Sequence, residues 1–182
     1  MTTLSDPKTR YTRTAIALHW LLALAIICSF SVGLYMQELP MSPTRLKLYN
    51  WHKWAGITIL ALSALRLLWR LGHRPPADLP MPAWQSRAAH FTHWALYALF
   101  FAVPLAGWAY SSSAGFPVVV YGLLPLPDFV PVDKALAETL KALHKLLGIA
   151  LSLLVLAHIA GAFKHQFIDR DGLLSRMWPS TK

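Results

Sequence analysis

Apolar residues dominate four stretches of the chain, roughly residues 15–36, 52–71, 89–110 and 143–163. Each is long enough for an α-helix to cross about 30 Å of hydrocarbon. The breaks between them differ in kind. Pro40 and Pro43 mark a short loop after the first stretch, and "HRPPADLPMPAW" (73–84) is a connection whose prolines forbid a continuous helix. The longest break, about 111–140, is apolar yet rich in proline and glycine. It is expected to pack over one end of the bundle, with helix able to resume by 134. After Phe163 the chain is amphiphilic and basic, which suits a lipid surface. The pattern predicts an all-α integral membrane protein, a four-transmembrane-helix bundle forming one domain over 1–182 and ending in a tail, 164–182.

Composition agrees with the pattern. Only 14% of the 182 residues are charged, 55% are hydrophobic, and eight are tryptophan, with a mean hydropathy of +0.42. The net charge of +9 lies between the apolar spans, not along one stripe, so it argues topology and not nucleic acid. With the N-terminus inside, eleven basic residues face the cytoplasm (Lys8, Arg10, Arg13, Arg66, Arg70, Arg74, Arg87, Lys164, Arg170, Arg176 and Lys182) and six face out (Arg45, Lys47, Lys53, Lys134, Lys141 and Lys145). That excess predicts both termini cytoplasmic. Residues 1–14 are polar and charged, unlike a cleavable signal peptide, so the first span is expected to direct insertion. The single cysteine, Cys28, excludes an intrachain disulfide.

An internal repeat changes the picture further. "HKWAGI" (52–57) matches "HKLLGI" (144–149), and His19-Trp20 matches His93-Trp94, each followed by a glycine fourteen residues after the histidine, Gly33 and Gly107. The chain reads as two copies of one hairpin. The copies diverge where Arg66 stands opposite His158.

His144 and His158 are fourteen residues apart on one span. They are therefore separated by about 21 Å along the axis and share a face to within about 40°. By topology His52 and His144 lie at the outer ends of their helices; His19, His90, His93 and His158 lie inward. Ionisable groups at membrane depth are expensive and usually serve a site. Zinc is disfavoured because the spans offer no carboxylates and one thiol. Haem needs only two imidazoles from different helices and an apolar slot. Gly56 and Gly148, one turn from the outer histidines on the same face, would let a flat macrocycle approach the backbone. The outer pair is then His52 with His144. The inner pair contains His158, with His19, His90 or His93 as its partner.

At this point the sequence resembles the bacterial cytochrome b561 family almost end to end. "ALHW", "HKWAGI", "AHFTHWALY", "LHKLLGI…AH" and "KHQFIDRDGLLSRM" carry the resemblance. It implies a multi-pass diheme cytochrome of the bacterial inner membrane, with two haem b groups, His19 and His158 ligating the inner iron and His52 and His144 the outer. It also implies an oxidoreductase carrying electrons between a periplasmic donor and ubiquinone, as in relatives that look like superoxide oxidases. Other four-helix b-type proteins serve as haem-bearing anchors and electron relays of larger dehydrogenases. A metal or proton transporter is the alternative from another class.

Four lysine and histidine positions and one arginine complete the set of candidates. Lys53 and Lys145 directly follow the outer histidines and suit propionates or the steering of a small anionic donor. Arg66, at membrane depth, suits an inner-haem propionate. Lys164 and His165 suit proton delivery to a quinone. Membrane lipid is the expected surrounding.

Overall fold

The computed structural model describes residues 10–179; Lys8 and Lys182 of the charge count lie outside the described residues. Four long helices are present: α1 (Arg13–Glu38), α2 (Pro43–Gly72), α3 (Ala83–Ser113) and α4 (Lys134–Lys164). All four are long and apolar enough to cross a membrane. They begin where polar side chains can cap them. Thr12, Ser42 and Asp133 accept backbone N–H bonds from Ala15, Arg45 and Leu136, and Pro43 takes the first position of α2, where its missing N–H is harmless.

The helices overrun the apolar stretches, most of all at the starts of α2 and α4, nine and ten residues before His52 and His144. Hydropathy marks only the hydrocarbon-crossing part, whereas caps mark where the backbone begins to coil. The proline-rich segment 73–82 is not helical, as its composition requires. The connection 114–133 carries a short antiparallel hairpin, β1 (Val119–Val120) and β2 (Leu124–Pro125), with Gly122 at φ 73° in its turn.

α1 packs on α2 and α3 on α4, with α2 against α3 joining the two hairpins. The buried centre consists of Leu22, Ile26, Ile59, Leu96, Phe100 and Leu151. These six follow the repeat read from the sequence. Adding 74 turns Leu22 into Leu96 and Ile26 into Phe100; adding 92 turns Ile59 into Leu151. The core is thus three equivalent pairs, placed between the two levels of histidines. Outward-facing apolar side chains such as Leu24, Leu68, Leu153 and Leu156 are exposed, as a lipid-facing surface demands.

Two coverings close the bundle. At one end, here the cap face, 114–133 is tied to α2 by Trp54 Nε1 donating to Val119 O (2.6 Å), Lys53 Nζ donating to Phe116 O (3.0 Å) and a Thr58–Tyr121 hydroxyl pair (2.7 Å). At the other, the tail face, the chain after α4 forms a π-helical turn (His165–Asp169) and a 3-10 turn (Leu174–Arg176). It returns to the start of α1, where Trp20 Nε1 donates to Met177 O (2.8 Å) and Arg10 to Trp178 O (2.7 Å).

Candidate functional site

His52 on α2 and His144 on α4 face each other near the cap face, ring centroids 6.0 Å apart and planes turned by 82°. Each ring is fixed by a neighbouring helix in the same way. His52 Nδ1 lies 3.0 Å from Ser29 O of α1, and His144 Nδ1 lies 2.9 Å from Val103 O of α3. A carbonyl has no proton to give, so Nδ1 carries the ring hydrogen. Nε2 is left with a bare lone pair, the form in which imidazole ligates a metal.

The carbonyls are reachable because of glycine. A helical side chain covers the turn N-terminal to its own Cα, so a side chain at position 33 would shield the Ser29 carbonyl. A Cβ on Gly33 would sit 3.0 Å from His52 Cε1, and one on Gly107 would sit 2.9 Å from His144 Cε1. Ser29 and Val103, like Gly33 and Gly107, are 74 residues apart, so the whole arrangement repeats with the hairpin. Gly56 and Gly148 play another part: a Cβ on either would meet nothing within 4 Å.

A cavity of about 440 Å³ opens beside this pair, lined by His52, His144, Gly56, Gly107, Lys53 and Trp108 among others. Trp108 Nε1 is buried there without a hydrogen-bond partner. Lys53 is the one charged lining residue, held by the cap through Phe116 O and lying 5.8 Å from the Phe116 ring centroid. Lys145 is exposed and does not line the cavity.

Toward the tail face, His158 of α4 stands between His19 of α1 (ring centroids 6.1 Å) and His93 of α3 (5.3 Å). The His19–His158 separation is close to the 6.0 Å of the other pair, whereas His93 and His158 stand nearer each other. His19 Nδ1 is buried and unpartnered. His90 belongs to the surface, with Nδ1 2.8 Å from Ser86 O and Nε2 3.3 Å from Asp78. Arg66 places its guanidinium 5.5 Å from the Tyr97 ring centroid.

A profile of prokaryotic cytochrome b561 matches residues 10–180. The chain belongs to the prokaryotic cytochrome b561 family. Cytochrome b561 homolog 2 of Escherichia coli (strain K12) is 35% identical to it, with 92% of this chain and 90% of the relative aligned. Cytochrome b561 homolog 1 of the same organism is 31% identical (95% and 99%), and the probable superoxide oxidase CybB of Yersinia pestis 30% identical (95% and 98%). As a cytochrome b561 it is a b-type haem electron-transfer protein, multi-pass in the bacterial inner membrane.

The residues present fit haem. Imidazoles with free Nε2 atoms can ligate haem iron and backbone that no side chain screens lets a flat macrocycle approach, and the His52–His144 level of this cytochrome b561 offers both. Among the described residues the one histidine–carboxylate cluster with ligand spacing is His165, Asp169 and Asp171 on the tail face. There Lys164 Nζ already pairs with Asp169 (2.5 Å) and His165 Nδ1 with Asp171 (2.6 Å). In the sequence, Gly33 and Gly107 stand out only as marks of the repeat. Their spacing four residues after Ser29 and Val103 was the available signal for a ring cradle. Trp108 and Tyr97 carried no signal.

Proposed function

We propose that this cytochrome b561 carries two b-type haems, one between His52 and His144 and one between His19 and His158, and passes electrons from a periplasmic donor to ubiquinone. The observation that carries the reading is the cap-face pair: two imidazoles, each locked with Nδ1–H on a carbonyl, each cradled by a glycine, facing one another across 6.0 Å. When bound, each haem supplies a one-electron couple. The residues hold, orient and insulate. The fourteen-residue spacing of His144 and His158 sets the two levels about 21 Å apart along α4. The apolar plug of Leu22, Ile59, Leu96 and Leu151 keeps water from the space between them. His19 with His93 and Arg66 with His158 are the two equivalent pairs of the repeat at the second level; one member of each is a ligand, and Arg66 is in reach of an anionic substituent.

The donor assignment to superoxide rests on the name of the Yersinia pestis relative and on Lys53 at the cavity beside the cap-face pair. The cap face is periplasmic and both termini cytoplasmic, as the excess of basic residues on the tail side favours. Lys164 and His165, paired with Asp169 and Asp171, are the proton-carrying groups nearest the quinone side.

Haem quantitation tests the reading. The wild type is expected to hold two haems per chain. His52→Ala or His144→Ala is expected to lose the cap-side haem alone, and His19→Ala or His158→Ala the other. One haem in the wild type, or loss of haem with His93→Ala but not His19→Ala, would refute the assignment.

A further inference from the structure

A second cavity of about 440 Å³ lies at the tail face, and its lining is unlike the first. Arg66, Arg70 and Arg74 of α2 and the segment after it, together with Arg10 and His73, surround it; no carboxylate occurs among its lining residues. Arg66 and Arg70 flank the Tyr97 ring at 5.5 and 5.7 Å. Arg66 and Arg70, four residues apart, share one face of α2, where like charges repel. None of the three α2-side arginines pairs with a described carboxylate. The cavity is also built. The tail roofs it through Met177, Arg10 donates to Trp178 O at 2.7 Å, and Arg176 Nη2 donates to Ala77 O at 2.8 Å.

The geometry points to a binding site for the phosphodiester headgroup of an anionic phospholipid, held by Arg70 and Arg74 under the tail. Depth separates this role from that of Arg66. Arg66 lies near the His19–His158 level, within electrostatic range of both rings. Arg70 stands about 6 Å farther along α2, in its last turn, and Arg74 lies just beyond the helix end at Gly72. That is headgroup level, where basic pockets between spanning helices collect acidic lipid. A doubly hydrogen-bonding guanidinium matches phosphate oxygens better than an ammonium would. Arg66→Gln is therefore not the test, because that residue belongs to the proposed haem site.

The experiment is native mass spectrometry of the delipidated, haem-loaded full chain after adding dioleoylphosphatidylglycerol or dioleoylphosphatidylcholine. The wild type is expected to retain one phosphatidylglycerol with a preference of roughly ten-fold or more over phosphatidylcholine. Arg70→Gln with Arg74→Gln is expected to abolish the preference and keep the haem content. Millimolar inorganic phosphate is expected not to displace the lipid. Equal uptake of the two lipids by the wild type would overturn the proposal without recourse to any variant. Displacement by inorganic phosphate would assign the site to a free anion instead. Loss of haem in the double variant would assign the arginines to the cofactor. Both would equally overturn it.

Discussion

At Gly33 and Gly107 a single hydrogen atom decides whether an imidazole reaches a carbonyl. Alanine at either position would bring Cβ to 3.0 or 2.9 Å of the ring, so ring or helix must yield. Overpacking of this kind costs about 1–3 kcal/mol, and the histidine cannot retreat without lengthening its bond to Ser29 O or Val103 O. Gly107→Ala is expected to shift the spectrum and potential of the cap-side haem and lower its occupancy, leaving the other unchanged; redox titration followed optically checks this. Gly56→Ala separates protein from cofactor. Its Cβ meets no protein atom within 4 Å, so the polypeptide should tolerate it, and a fall in haem retention would report on the group filling that space. Unchanged haem with Gly56→Ala would show that the glycine serves no macrocycle.

At the scale of elements, the repeat was the most informative signal in the sequence. Its offsets of 74 and 92 locate the two hairpins, the buried pairs Leu22–Leu96 and Ile59–Leu151, and the carbonyl acceptors of both histidines. The order of the helices and the proline-broken segment 73–82 were legible because hydrocarbon crossing and missing N–H groups are local properties. The start of α4 at Lys134 was legible too, but that of α2 was not, since Ser42 caps it well ahead of its apolar run. The tail was legible only as amphiphilic. Its π-helical turn and its return to α1 depend on partners distant in sequence, Tyr11 with Arg176 and Trp20 with Met177.

That return has a pH dependence. Burial would raise the Asp171 carboxyl, but the Leu173 N–H bond and the contact with His165 outweigh it and hold the group below the usual carboxylate range. A carboxylate lowered on folding contributes in full above its unfolded value near 4 and loses the contribution as pH falls through the lower folded one. Proteolysis of the tail should thus accelerate on acidification below roughly pH 4, and Asp171→Asn should show the faster cleavage already at neutral pH. Equal cleavage of wild type and variant throughout would mean the tail is held by its bonds to Tyr11 and Trp20 alone.

For the whole molecule the question is which charges a donor meets. Six basic residues fall on the cap side of the sequence, but only Lys53 lines the cavity beside His52 and His144. Lys145 is exposed, although it holds the equivalent place in the repeat. Arg45 is engaged with Leu39 O at 2.7 Å and the Tyr49 hydroxyl at 3.2 Å. A positive mouth over a redox centre raises the encounter rate of a small anion by roughly ten-fold or more at low salt. The screening length then shrinks from about 30 Å at 0.01 M to about 8 Å at 0.15 M ionic strength. Reduction of the cap-side haem by superoxide is therefore expected to slow as salt rises. All the cap-side charges share in that long-range attraction, so Lys145→Gln should weaken the salt dependence slightly. Lys53→Gln should lower the rate at every ionic strength, because its charge acts within the cavity, inside any screening length. Trp54 and Thr58 still tie the cap to α2, so the cap should stay closed and haem content should hold. Stopped-flow reduction at several ionic strengths distinguishes the two lysines. Equal effects from both substitutions would make the cavity lysine no more than one charge among six. A rate indifferent to salt and to both would remove the electrostatic case for superoxide and favour a neutral donor at the same haem.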